Sequence, residues 1–413
     1  MTETPEKTPA YSWYALALLL LIYVLNFLDR TIIYILFPLI KKEMAFSDTQ
    51  LALLGTTSFV IFYAVLGIPF GRMADRGSRT KMIAGGVLVW SLFSGLTAFA
   101  NDFWTLFACR VMVGVGEATL GPAAISLLSD YFPPFRRATV TSIYSMGIAI
   151  GAGLAALLGG SLSQFGWRTA FMIIGFPGAV FGIFVFFLRE PVREVEVTPI
   201  AASYSRFDWK KLLTNRPFIL LCIGYALLGL ATNNLSIWGA TFYSRVHKFD
   251  LPTIGFWGGI LTLAAGIPAT LFGGAVADWF KKVGLGRMLF GSLLAFVSVP
   301  FWLLLIFTDN VYLILIANFA LLAAALSWLG AAAADVTEIA GVNLRGLGIA
   351  VYFFSVNIAA YLIGSNLIGL LNDKLGATEN PAAMRYALLV CPAACLLSSG
   401  CLWLGNRSMR CLS

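Results

Sequence analysis

Twelve mostly apolar runs dominate this chain, at roughly 14–40, 49–71, 81–100, 103–129, 138–161, 168–188, 217–244, 253–277, 286–307, 311–334, 346–371 and 383–405. An apolar run of about 20 residues is long enough to cross a bilayer as a helix. In hydrocarbon, a helix meets all its own backbone hydrogen bonds. The expected fold class is therefore an all-α membrane protein with twelve transmembrane helices. Composition agrees: of 413 residues, 59% are apolar and 12% charged, against about a quarter charged in a soluble domain. That balance excludes an ordinary soluble enzyme, a disordered chain and a nucleic-acid binder, which needs a compact basic domain. The stretch after Tyr11 is too long for a signal-peptide core, so no cleaved leader is expected. Six cysteines lie mostly in apolar runs and the one histidine, His247, completes no ligand set, so neither a disulfide framework nor a metal site is expected.

Most connections are short. The exception, 189–216, carries clustered charge and reads as a cytoplasmic linker between an N-terminal bundle (1–188) and a C-terminal bundle with a short tail (217–413). The two halves repeat. Gly71-Arg72-Met73-Ala74-Asp75-Arg76 follows the second helix and Gly274-Ala275-Val276-Ala277-Asp278 follows the eighth, offset by 203 residues. Asp130 with Arg136-Arg137 after the fourth helix is echoed by Asp335 and Arg345 after the tenth. Duplicated six-helix halves are a secondary-transporter architecture. With both termini in the cytoplasm, 19 of the 28 Lys and Arg residues lie inside, seven outside and two within helices. That bias fixes the orientation, and it places the whole formal charge of +8 on the inner face.

Gly71, Asp75, Arg76 and Arg79 resemble the loop Gly-x-x-x-Asp-Arg-x-Gly-Arg-Lys/Arg of the major facilitator superfamily. The resemblance implies a cytoplasmic gate that parts when the halves rock, with Asp278, Arg137 and Arg345 as further members. Topology-setting cations are the plainer alternative. Asn26-Phe27-Leu28-Asp29-Arg30, Arg110 through Ala118, Ser129 through Pro134 with Arg137, Gly147 to Gly153, and Gly166-Trp167-Arg168 resemble the spinster family of that superfamily, in a bacterial form. The resemblance covers nearly the whole first half; in the second it rests on the repeated loop and Arg345. It implies transport of a lysophospholipid or sphingolipid phosphate. Arg110 resembles the fourth-helix arginine linked to proton coupling. The fifth helix has Gly147-x-x-x-Gly151-x-Gly153 but lacks the Gly-Pro pair of drug antiporters.

Four ionisable side chains sit well inside apolar runs: Asp29, Arg30, Arg110 and Glu117. A charge at membrane depth costs about 2.5–3.5 kcal/mol on insertion scales, so each is a functional candidate. At about 1.5 Å per residue, Asp29 and Arg30 fall between Arg110 and Glu117 in depth. Neighbours in sequence point about 100° apart, so Asp29 and Arg30 are expected to have different partners. Glu117 is the expected proton-binding group, with Asp29 the holder of Arg30 or of a gate partner, or a second titrating site. Burial favours the neutral acid and a nearby arginine the carboxylate. Arg30 is the expected contact for an anionic head group. A structural network fixing helix packing is the alternative.

The second half is expected to hold no buried charge. Asn233, Asn234, Ser327, Trp328, Asn357, Tyr361 and Asn366 are its candidates for the cavity wall, although asparagines also serve as interhelical glue. Phe37-Pro38 and Ile68-Pro69 are kink candidates. Lys41, Lys42 and Glu43, and Arg245 to Lys248, read as solvated outer ends, with an outer gate as the alternative. No Gly-x-x-x-x-Gly-Lys-Ser/Thr loop is present, so ATP drive is not expected. The expectation is a proton-coupled secondary transporter of a lipid-like or amphipathic anion, working by alternating access as a monomer of the inner membrane. It meets protons, membrane lipids and that anion, with no nucleic acid, cofactor or metal. A symporter of small organic anions such as sugar acids, which shares Asp-Arg and Gly-Glu-Ala, and a multidrug efflux pump are the alternatives.

Overall fold

A computed structural model describes residues 9–191, 212 and 214–410. Most of the linker expected at 189–216 lies outside the described residues. Twelve helices are long and apolar enough to cross a membrane: α1 Ala10–Met44, α2 Asp48–Gly67, α3 Arg79–Phe99, α4 Phe103–Tyr131, α5 Thr139–Phe165, α6 Trp167–Phe186, α7 Arg216–Val246, α8 Leu251–Lys282, α9 Arg287–Phe307, α10 Val311–Gly341, α11 Leu344–Lys374 and α12 Pro381–Arg410. The chain is a multi-pass membrane protein with twelve spans, and no strand occurs among the described residues. With twelve crossings, both ends of the described chain lie on one face, called proximal below; the other is distal.

Polar residues at the loop edges start the helices. The Asp102 carboxylate accepts from Trp104 N and Thr105 N, Asn215 from Phe218 N, Asp250 from Thr253 N and Asn310 from Tyr312 N. Each meets N–H groups that the first turn leaves without a partner. Ser47 and Gln50 form a reciprocal capping box at the start of α2. Pro38 and Pro69 lie inside helices, as their candidacy for kinks requires.

In the first six helices α3 packs on α6 and α1 on α5; in the last six, α7 and α9 pack on α12. α5 packs along α8 and so joins the two sets. Glycine makes that seam possible. A Cβ on Gly255 would lie 2.4 Å from Ala156 O and 2.6 Å from Gly160 Cα, and one on Gly259 would lie 2.7 Å from Gly153 O. Backbones this close leave no room for a side chain on Gly160 or Gly255. On the opposite side, α2 meets α11 through two π-helical turns, Leu53–Thr57 and Ile358–Gly364. Such turns break the regular ladder and often mark functional places.

Candidate functional site

The buried charges of the first six helices come together. Arg30 on α1 donates from Nε (2.9 Å) and Nη2 (2.7 Å) to Glu117 Oε2 on α4, and from Nη2 to Asn26 Oδ1 at 3.3 Å. Its guanidinium lies over three rings, Phe27 (4.7 Å), Phe59 (4.5 Å) and Tyr63 (4.9 Å), each contributing cation–π attraction. Arg110 donates to the carbonyl oxygens of Asp29 and Arg30 at 3.3 and 3.2 Å. Asp29 accepts from Ser94 Oγ on α3 at 2.6 Å. The two acids thus have separate partners, and Asp29 holds neither arginine side chain. Glu117 Oε1 is buried without a hydrogen-bond partner, so this carboxylate has an open position for a proton. Ser94 escaped the sequence reading because one serine in an apolar run is ordinary helix packing. Phe59 and Tyr63 gave no signal for the same reason.

A cavity of about 360 Å³ begins beside this set. Thr31 and Tyr34, the residues one and four positions after Arg30, line it from α1, with Ala152 and Ala155 from α5. Apart from Ile35 and Ala156, its remaining wall belongs to the last six helices and is mostly apolar, including Leu235, Tyr243, Phe249, Trp257 and Leu322. The buried pair Asn318 Nδ2 to Tyr243 Oη, 3.0 Å, is set into that wall. A smaller adjoining cavity shares Thr31 and Tyr34 and adds Phe27, Asn233 and Tyr361. There Tyr361 donates to Asn233 Oδ1 at 3.0 Å.

The other candidates of the second half fall elsewhere. Asn234 is fully buried and donates to Leu230 O and Ala360 O. Trp328 is buried and stacked on Tyr225. Asn357 and Ser327 donate to carbonyls of their own helix. None of these four lines either cavity. Asn366 instead donates to Thr57 Oγ1 on α2 at 2.8 Å, joining the two sets of helices.

The distal ends differ from the solvated ends expected. Asp48 on α2 is fully buried. It accepts from Arg245 of α7 at 2.6 and 2.9 Å and from Lys41 Nζ at 2.5 Å. Asp373 of α11 accepts from Asp48 N, Thr49 N and Thr49 Oγ1, and Lys41 also donates to Thr378 Oγ1. The two sets of six helices are bolted together here. Glu43 is held by Trp167 Nε1 (2.7 Å) and Arg168 (3.0 Å). His247 stands 3.6 Å from Asp309, and burial with the nearby Arg385 keeps its imidazole below the usual range. Lys42 and Lys248 are exposed as expected.

Of the proximal candidates, Arg79, Arg137 and Asp278 bond within their own six helices. Arg79 is buried and bonds Asp130 and Glu190. The Glu190 carboxylate caps α3 through Arg79 N (3.1 Å) and Thr80 N (3.2 Å) and also accepts from Ser78 Oγ (2.7 Å). These donors and Arg79 outweigh its partial burial and hold it at about 2. Asp278 pairs with Arg287 at 2.7 Å. Arg137 donates to Ser129 O and Phe132 O at the end of α4. Arg76 and Arg345 are exposed. The Asp75 side chain lies outside the described residues. A Cβ on Gly71 or on Gly274 would meet nothing within 4 Å. One expectation is overturned on this face: Asp335 is 3% exposed, so the last six helices do bury a charge. The helix runs on to Gly341, and Asp335 lies within its spanning segment.

Twelve spanning helices, a buried set of charges and a cavity shared between two sets of helices define a membrane transporter, not an enzyme. The chain belongs to the Major Facilitator Superfamily, whose sequence profile matches residues 19–283. It is 28% identical over 416 residues to an MFS-type efflux pump of Mycolicibacterium smegmatis, covering 97% of this chain and 94% of that one. It is 25% identical over 285 residues to a probable L-galactonate transporter of Escherichia coli, covering 66% of this chain and 62% of that one. A crystal structure of a bacterial homolog to the human lysosomal transporter Spinster, in an inward-facing and unoccupied conformation, superposes with a TM-score of 0.84 at 25% identity, over 97% of this chain and 98% of that one.

Proposed function

We propose that this protein is a proton-coupled carrier of an amphipathic anion of the lysophospholipid or sphingolipid-phosphate type. The observation that carries the reading is the Arg30–Glu117 pair beside a mostly apolar cavity. In the empty carrier Glu117 occupies the guanidinium. A proton on Glu117 releases Arg30, whose fork fits a phosphate or carboxylate. The chain of the same molecule then lies along the apolar wall of the last six helices. Asp29, bonded to Ser94 and away from Arg30, is a second proton site, and Arg110 fixes the depth of both acids by holding the α1 backbone. Asn233 and Tyr361 are the polar contacts in the second half; Asn234, Trp328 and Asn357 support the wall from outside it.

The remaining parts follow from alternating access. The bundles 1–188 and 217–413 rock about the α5–α8 seam, with 189–216 as their linker. The distal bolt opens when the proximal side closes. The open space around Gly71 and Gly274 supports their use in that closed state, with Asp75, Arg76, Arg79, Arg137, Asp278 and Arg345 forming the cytoplasmic gate. The cation bias supports a location in the inner membrane with both termini cytoplasmic, and the carrier works as a monomer.

A second reading, a symporter of small sugar acids, draws on the relative named as a probable L-galactonate transporter; the apolar wall speaks against it. Uptake into proteoliposomes under an imposed pH gradient separates the two. Labelled lysophospholipid should enter and hexuronate should not compete. Glu117→Gln should abolish the response to the gradient, and Arg30→Ala should abolish uptake. Hexuronate uptake without lysophospholipid uptake would replace this reading with the second. Full gradient-driven uptake by Glu117→Gln would remove Glu117 as the proton site.

A further inference from the structure

The last six helices contain an ionic cluster of which the proposed gate uses only Asp278. Arg287, at the start of α9, is shared among three acids. Its Nε donates to Asp278 Oδ1 at 2.7 Å and its Nη1 to Glu338 Oε2 at 3.0 Å. Asp335 Oδ1 stands 3.6 Å from Nη1, beyond hydrogen-bond reach. Lys281 Nζ donates to Glu338 Oε2 at 2.5 Å. The cluster holds three carboxylates and two cations.

The three acids are not equivalent. The side chains of Asp278 and Glu338 are 64% and 41% exposed, whereas that of Asp335 is 4% exposed. Asp335 Oδ2 is buried with no hydrogen-bond partner. Tyr225 of α7 lies within electrostatic reach of Asp335, and its hydroxyl is also buried without a partner. That hydroxyl packs against Gly291, one turn along α9 from Arg287: a Cβ on Gly291 would lie 2.7 Å from it. Tyr352 of α11 meets the Tyr225 ring edge-on at 6.3 Å, and its hydroxyl is likewise unpartnered.

We propose that Asp335 is a proton-binding site in the second half of the molecule, separate from Asp29 and Glu117, with the proton on Oδ2. Fully ionised, the cluster carries one uncompensated negative charge. Leaving such a charge buried is strongly unfavourable. Water shares the charge of Asp278 and Glu338, so Asp335 gains most from a proton. Bound there, the proton brings the cluster to neutrality and fills the open position on Oδ2. The matching cluster of the first half shows why the site belongs to the second. Arg79 also faces one acid too many, but Asp130 and Glu190 are each a quarter or more exposed. Glu190 moreover accepts five hydrogen bonds, from Ser78 Oγ, both nitrogens N and Nε of Arg79, and N and Oγ1 of Thr80. The first half meets its excess with water and donors; the second has neither at Asp335.

The test is pH-difference infrared spectroscopy on the whole protein in lipid. The double variant Asp29→Asn, Glu117→Gln removes the carboxyls of the transport site. It should keep a protonated-carboxyl C=O band that fades as pH rises. Adding Asp335→Asn should remove that band, and adding Asp335→Glu should keep it at a shifted frequency, which guards against loss through misfolding. No such band in the double variant, its survival in Asp335→Asn, or an unshifted band in Asp335→Glu would each overturn the assignment. Because the transport-site acids are absent throughout, failure here leaves the proposed carrier function standing, and failure of that function leaves this site standing.

Discussion

Arg30 and Asp29 are adjacent in sequence yet belong to separate bonding sets, and each is completed by residues of other helices. Arg30 leans on Glu117, Asn26 and three aromatic rings; Asp29 depends on one hydroxyl, that of Ser94. Ser94→Ala leaves Asp29 Oδ1 without that donor. An unmet buried polar group costs about 1–3 kcal/mol. The expected result is a lower thermal unfolding midpoint in detergent, which Ser94→Thr restores by keeping a hydroxyl. An unchanged midpoint in Ser94→Ala would mean that water replaces the donor. At this scale the sequence revealed charges and concealed their neutral partners. Asp29, Arg30, Arg110 and Glu117 are legible because ionised groups are rare in apolar runs. Ser94, Phe59 and Tyr63 have side chains that any spanning helix carries, and only the fold aligns them with a charge. Asp335 was misplaced by a different route: it lies at the margin of an apolar run, where a few residues of extra helix decide between loop and interior.

Among the helices, α5 and α8 approach closely along the seam between the two sets of six. Their contact runs backbone against backbone at Gly160 and Gly255 and again at Gly153 and Gly259. Gly255→Val places a branched side chain where Ala156 O stands 2.4 Å from its Cβ. Overpacking of this kind costs about 1–3 kcal/mol, and no flexible side chain is there to yield. The expected outcome is a marked fall in melting temperature. Gly400→Ala on α12, whose Cβ meets nothing within 4 Å, should leave stability unchanged or raise it slightly, since alanine favours helix by about 1 kcal/mol. Equal melting temperatures in the two variants would refute the seam. The twelve spans themselves were legible from hydropathy alone, and the glycine spacing on α5 permitted a close contact. The identity of the facing helix was not, because small residues mark a contact surface without marking its partner.

Across the molecule, the distal side is joined by Asp48 to Arg245, two residues 197 positions apart in the chain. No local pattern could pair them. Removing one partner of a buried ion pair is strongly destabilising, by about 3–5 kcal/mol, because the others are left uncompensated. Asp48→Asn does this to Lys41 and Arg245. Spin labels at the distal ends of α2 and α11 should then report longer distances than in the parent protein; an unaltered distance distribution would show that the Asp373 contacts hold this side alone. One further consequence concerns the buried set around Arg30. Asp29, Glu117, Arg30 and Arg110 sum to zero when all are ionised. An elementary charge moved across a bilayer exchanges about 2.3 kcal/mol with every 100 mV of membrane potential. A transport site that is neutral when empty therefore adds no electrical cost to the empty return. If, as proposed, one proton is loaded with one monovalent anion, the site stays neutral when loaded as well, and such a cycle would run on the chemical gradients alone and generate no current.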